Sequence, residues 1–135
     1  MKNIAVIAHD AKKTVLAQFV ETHRTWILGV KIIATGRTAE YLEEQNIEVK
    51  HLMRGREGGY RQITDMLIRK EIDLLVFFID PDITEPHHPD IGKLLDTCDR
   101  HNIPLATNYS SAELIIIGLI KKDEAEKTMR RLKGN

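Results

Sequence analysis

Leu74-Leu75-Val76-Phe77-Phe78-Ile79 is a run of six apolar residues, and Asp80-Pro81-Asp82-Ile83-Thr84-Glu85-Pro86-His87-His88-Pro89-Asp90 follows it directly. A short apolar run closed by Asp and Pro reads as a strand buried on both faces. The eleven residues after it hold four carboxylates, two adjacent histidines and three prolines. The prolines forbid a helix and stiffen the path. A rigid segment dense in acid–base groups at the end of a buried strand is a place for chemistry. A solvated surface loop also favours Asp and Pro, so both readings stand at this point.

Outward from this stretch, strand and helix patterns alternate. Asn3 to Ala8 is rich in Ile and Val and reads as a buried strand ending at His9-Asp10. Lys12 to Ile27 carries Val15, Leu16, Phe19, Val20 and Trp26 near a helical repeat, and Gly29 fits a helix stop. Val30 to Ala34 is a second strand, Thr38 to Gln45 a short helix, and Ile47 to Leu52 a third strand. Tyr60 to Lys70 reads as a helix, Pro89 opens another with Ile91, Leu94, Leu95 and Cys98 on its apolar face, and Ile103 to Thr107 is a fifth strand. Ser110 to Leu119 and Asp123 to Leu132 are read as two further helices, the second charged and peripheral. This order predicts an α/β fold: a single doubly wound domain over residues 1–135, with a mostly parallel five-stranded sheet flanked by helices.

Composition narrows the function. The chain has 135 residues, 42% hydrophobic and 30% charged, with a formal net charge of +0. Neither nucleic acid nor a membrane surface is expected as partner. Cys98 is the only cysteine, so no intrachain disulfide is possible and a reducing, cytoplasmic setting is expected. Met1-Lys2-Asn3 leads into five apolar residues, too few for a signal peptide, and no run spans a bilayer.

In a parallel α/β sheet, ligands bind beyond the carboxyl ends of the strands. His9-Asp10, Thr35-Gly36, the Arg54–Gly59 loop, Asp80 and Thr107-Asn108-Tyr109 all fall there. Thr35-Gly36-Arg37-Thr38 precedes a helix, where free N–H groups and two hydroxyls suit an anion, or where a threonine simply caps the helix. The loop with Gly55, Gly58 and Gly59 suits close approach to a ligand or an ordinary tight turn, and no Walker lysine follows it. Lys13 can reach the same anion from the first helix, or remain solvated. His9 and His87 are candidate acid–base groups, and Asp10, Asp80 and Asp90 candidates to orient them or to abstract a proton. His23, His51, His88 and His101 read as surface or structural. The cluster Asp80, Asp82, His87, His88, Asp90 matches no standard metal-ligand spacing, so neither metal nor cofactor is expected.

These residues resemble the methylglyoxal synthase family along nearly the whole chain. The similar blocks are Ile4-Ala5-Val6-Ile7-Ala8-His9-Asp10 with Lys13, Ala34-Thr35-Gly36-Arg37-Thr38, Phe77-Phe78-Ile79-Asp80-Pro81, Pro86-His87-His88-Pro89-Asp90, and Ile103-Pro104-Leu105-Ala106-Thr107-Asn108. The resemblance implies a homohexamer and a metal-free lyase that converts dihydroxyacetone phosphate to methylglyoxal and inorganic phosphate. It implies His87 as electrophile and proton shuttle at the enediolate, with His9, Asp80 and Asp90 in support. It implies Lys13, Thr35, Thr38 and Gly55 as phosphate ligands, with Gly36, Arg37 and Arg54 beside them.

The sequence departs from the family at the base. The family loop reads Ser-Gly-Pro-x-Gly-Gly-Asp, and its Asp abstracts the proton; here the loop reads Arg54-Gly55-Arg56-Glu57-Gly58-Gly59-Tyr60. A phenol with an ordinary pKa near 10 is only about 0.1% ionised at pH 7. Glu57, in the same loop, is either a substitute base or a solvated charge. Arg37, Arg54, Arg56 and Arg61 also replace family residues, which suits a ligand more anionic than a triose phosphate, or pairing with Glu40, Glu57 or Asp65. Two functions follow: an enzyme working through Glu57 or another carboxylate, and a binding module for a phosphorylated metabolite that has lost its base.

Overall fold

The computed structural model describes residues 2–83 and 88–134. His87 therefore lies outside the described residues. Five strands, β1 (Asn3–Ala8), β2 (Lys31–Ala34), β3 (Val49–His51), β4 (Leu74–Phe78) and β5 (Leu105–Ala106), form one sheet. Every pairing is parallel, in the order β3-β2-β1-β4-β5. Helices α1 (Lys13–Leu28), α2 (Gly36–Glu44), α3 (Gly59–Ile68), α4 (Pro89–Arg100) and α5 (Tyr109–Gly134) cover it.

The central strands β1 and β4 are apolar along their length because both their faces are covered. Ile4, Val6, Ala8, Leu74, Val76 and Phe78 pack with Leu16, Phe19, Leu42, Ala112 and Ile116, so α1, α2 and α5 lie on one face. Ala5, Ile7, Leu75 and Phe77 pack with Ile63, Leu67, Leu94 and Cys98, so α3 and α4 lie on the other. Successive side chains of a strand point to opposite faces, which is why one run feeds two cores. Phe77 is fully buried, and truncating such a ring to alanine costs about 3–5 kcal/mol.

The expected elements are present with altered bounds. β3 and β5 are shorter than the spans Ile47 to Leu52 and Ile103 to Thr107, since each lies at a sheet edge and pairs on one side only. A single 3-10 turn, Asp10–Lys12, precedes α1, and α1 departs from helical geometry at His23 (φ −113°, ψ 21°). The two helices expected over Ser110 to Leu119 and Asp123 to Leu132 are one helix of 26 residues. No Gly, Pro or Asn stands between Leu119 and Asp123, and Lys121 and Lys122 are good helix formers, so the first helix has no reason to stop.

Helices α2, α3 and α4 end alike. Asn46, Lys70 and Asn102 have φ of 63°, 58° and 55°, and the next residue's N–H reaches back to the last turn (Ile47 to Leu42, Glu71 to Met66, Ile103 to Cys98). These are Schellman terminations, which Asn tolerates and Lys resists. No helix among the described residues is long and apolar enough to cross a membrane.

Candidate active site

The strands β1, β2 and β4 deliver His9, Thr35 and Asp80 to one end of the sheet, and the glycine-rich loop after β3 folds across it. Between them lies a cleft of about 600 Å³, lined by His9, Asp10, Thr35, Arg37, Thr38, Arg54, Gly55, Arg56, Glu57, Tyr60 and Asp80. A larger groove of about 850 Å³ lies at the opposite end, among Leu28, Ile33, Val49 and Met66. It is lined by neither histidine nor a helix N-terminus, whereas the candidate acid–base residues His9, Asp10 and Asp80 line the smaller cleft.

His9 is fixed by the main chain. Its Nδ1 accepts the N–H of Asp80 at 2.8 Å, and its ring meets Phe77 edge-on, with centroids 5.2 Å apart. An acceptor nitrogen carries no proton, so in this arrangement the imidazole is neutral with its proton on Nε2. Asp80 in turn accepts the Asp82 N–H at 2.9 Å. Its carboxylate is thereby tied into the turn that follows β4.

The start of α2 leaves backbone donors without an acceptor among the described residues. Thr35 stands at the N-cap position, buried, and its side chain makes no capping hydrogen bond. The first-turn N–H groups of Arg37 and Thr38 have no backbone acceptor among the described residues, as expected of a helix start. The N–H of Gly36, however, donates to the Met53 carbonyl at 3.1 Å, so this amide is already engaged. Thr38 Oγ1 accepts the Ala8 N–H at 3.1 Å, which locks α2 to the end of β1. Lys13 lies beside the cleft rather than in its lining. Its Nζ is buried without a hydrogen-bond partner among the described residues. Burial pulls its pKa below that of an ordinary lysine, Asp10 opposes this, and Arg37 adds to it. A buried, unpaired ammonium is unfavourable, and an anion beside it would relieve the penalty.

The glycines are used by the chain itself. A Cβ on Gly55 would collide with the Tyr60 ring, one on Gly59 with the Met53 carbonyl, and one on Gly36 would sit 2.7 Å from Arg54 Cγ. Gly58 turns the chain into α3 at φ 123°, a conformation that favours glycine. The loop therefore lies flat against the start of α2, with the stem of Arg54 crossing it.

Tyr60 is a buried phenol at the start of α3. It is 7% exposed and stacks on Phe77 with centroids 6.1 Å apart. Burial raises its pKa above the usual phenol value, Arg56 opposes the shift, and Asp10 adds to it. At neutral pH it is a neutral hydroxyl and no proton acceptor of consequence.

Three carboxylates line the cleft. Asp10 pairs with Arg37 at 2.7 Å, and Asp80 is engaged as above. Glu57, in the 3-10 turn Gly55–Glu57, is exposed and has no side-chain hydrogen bond or ion pair among the described residues. Asp90, expected at the site, stands outside the cleft lining on the first turn of α4 and takes Arg61 at 3.1 Å. Its own N–H donates to His88 Nδ1 at 3.1 Å; that nitrogen is thus an acceptor, and the 3.6 Å approach of the Asp90 carboxylate to it is not an ion pair. The added arginines do not choose the expected partners Glu40, Glu57 and Asp65: Arg37 takes Asp10 and Arg61 takes Asp90. The Arg61–Asp90 link between α3 and α4 was not foreseen, and only proximity in space reveals it. Among the described residues no group of three or more His, Cys, Asp or Glu is arranged to hold a metal ion.

A parallel α/β sheet with a cleft of mixed charge beyond the carboxyl ends of its strands has the architecture in which such folds bind small ligands. Comparison with known proteins narrows this class. The family model described as MGS-like domain matches residues 16–107. The methylglyoxal synthase of Carboxydothermus hydrogenoformans is 45% identical over 120 residues, covering 88% of this chain and 99% of that one. That of Caldicellulosiruptor saccharolyticus is 41% identical over 122 residues, covering 90% and 86%. The crystal structure of methylglyoxal synthase from Elizabethkingia anophelis matches with a TM-score of 0.79 at 36% identity, covering 85% of this chain and 76% of that one. The chain belongs to the methylglyoxal synthase family.

Proposed function

We propose that the chain is a methylglyoxal synthase-type lyase acting on dihydroxyacetone phosphate, with Glu57 as its base. One observation carries this reading: of the three cleft carboxylates, Glu57 is the one with neither a cation nor an N–H on it among the described residues. The phosphate would rest on the free first-turn amides of α2, Thr35, Arg37, Arg54 and the Lys13 ammonium. Glu57 would remove a proton from the hydroxyl-bearing carbon next to the carbonyl, on the side away from the phosphate. The carbonyl oxygen becomes an enediolate oxygen, stabilised by the Nε2–H of His9 and, by resemblance, by His87. Collapse of the enediolate, with loss of its hydroxyl proton, forms the aldehyde and breaks the C–O bond to phosphate, and the enolate left behind takes a proton on its terminal carbon to become methylglyoxal. Neither metal nor cofactor enters this scheme. The family resemblance supports a cytoplasmic enzyme working as a homohexamer.

Tyr60 favours a second reading, a sensor that binds the same ligand and does not turn it over. Release of methylglyoxal and inorganic phosphate from dihydroxyacetone phosphate by the purified protein tests the first. Saturable binding without release of either product supports the second.

A further inference from the structure

Helix α5 is about 39 Å long at 1.5 Å per residue, and it has two apolar sides. Ala112 and Ile116 are buried, with Ile115 and Leu119 packed beside them on the sheet. On the opposite side, at 100° per residue, Leu114, Ile117, Gly118, Lys121, Ala125, Thr128, Met129 and Leu132 form one stripe. Leu114 is 70% exposed, Ile117 47%, Met129 51% and Leu132 77%. Most large exposed hydrophobic residues of the described chain lie on this one helix. After Asp123, which reaches Lys2 at 3.9 Å, the helix is exposed through Lys133. A helical segment this short is marginal in water without a packing partner.

The stripe is close to palindromic about residue 123. Leu114 and Ile117 lead inward to Gly118 and Lys121; Leu132 and Met129 lead inward to Thr128 and Ala125. A two-fold axis sets a surface against itself, so such a stripe fits a second copy of the same helix running antiparallel. We propose that two copies of this chain pair along α5 in this register. Leu114 of each copy packs on Leu132 of the other, Ile117 on Met129, and Gly118 faces Thr128. Lys121 lies over Ala125 of the second copy, beside its Glu124, which supplies the opposite charge. A Cβ on Gly118 would meet nothing within 4 Å, so no contact among the described residues calls for glycine in this helix. Close approach of a second helix does.

The test uses single-cysteine additions to the full chain. Cys98 is fully buried and does not compete for a short bis-maleimide. Within one helix, positions 114 and 132 lie about 27 Å apart, so the linker cannot join them in one chain. A mixture of Leu114→Cys and Leu132→Cys proteins is expected to give cross-linked pairs of chains. Each variant alone is expected to give at least ten-fold less. Equal cross-linking by Leu114→Cys alone would indicate a parallel pair and overturn the register, and no cross-linking in the mixture would overturn the pairing. Leu132→Glu, on an exposed position, is expected to lower the solution mass by light scattering while leaving the circular dichroism unchanged. An unchanged mass contradicts the proposal.

Discussion

The phenol of Tyr60 lies on the backbone of Gly55 so closely that a methyl group on that glycine would sit 2.7 Å from the hydroxyl oxygen. The two residues are coupled: the buried tyrosine is accommodated because residue 55 has no side chain. Gly55→Ala is expected to destabilise the fold by about 1–3 kcal/mol, the usual penalty for overpacking. In Tyr60→Ala the same change is expected to be nearly neutral. Urea unfolding of the four proteins in the cycle measures the coupling; additive effects would show that the ring moves freely.

Because burial raises its pKa, Tyr60 favours the folded state through its neutral form. The contribution is complete below the unfolded phenol's pKa, near 10, and is lost as pH rises through the higher folded value. Stability is therefore expected to fall above about pH 10, and Tyr60→Phe to reduce this fall. Thermal unfolding of both proteins across this range checks the sign. A fall that Tyr60→Phe leaves unchanged would assign it to other groups.

Lys13 presents the reverse case. Burial lowers its pKa, so the unliganded fold carries a penalty at every pH where the amine is charged. Lys13→Met is expected to raise the melting temperature of the free protein and to weaken inorganic phosphate at least ten-fold by titration calorimetry. Loss of stability together with unchanged phosphate affinity would remove Lys13 from the anion site.

Lys70 ends α3 at φ 58°. A side chain in the left-handed region costs roughly 1 kcal/mol that glycine does not incur. Lys70→Gly is expected to stabilise the protein by about this amount, with activity unchanged, since the residue lies away from the cleft. Denaturant midpoints decide it.

The sheet was legible because its central strands are buried on both sides, and that leaves continuous apolar runs such as Leu74 to Phe78. Edge strands β3 and β5 carry no such run, and their bounds shrank. The two C-terminal helices fused because a rise in charge after Ile120 marks a change of solvent exposure, not a change of backbone. Most site residues follow from strand ends, which the topology brings together. What the sequence cannot display is which partner each side chain takes. Asp90 is close to the site in sequence yet is held by Arg61 from α3, and Gly36 carries an amide already bonded to Met53. The sequence sets Tyr60 against the family's Asp by resemblance alone; that Glu57 has no side-chain partner among the described residues required the structure.

The most direct measurement is the rate of methylglyoxal formation from dihydroxyacetone phosphate by the parent, Glu57→Gln and Tyr60→Asp. The account expects turnover in the parent and at least a 100-fold lower kcat in Glu57→Gln, within the range of a lost general base, with phosphate affinity retained. An inactive parent that gains turnover in Tyr60→Asp, or a Glu57→Gln protein as fast as the parent, would contradict it.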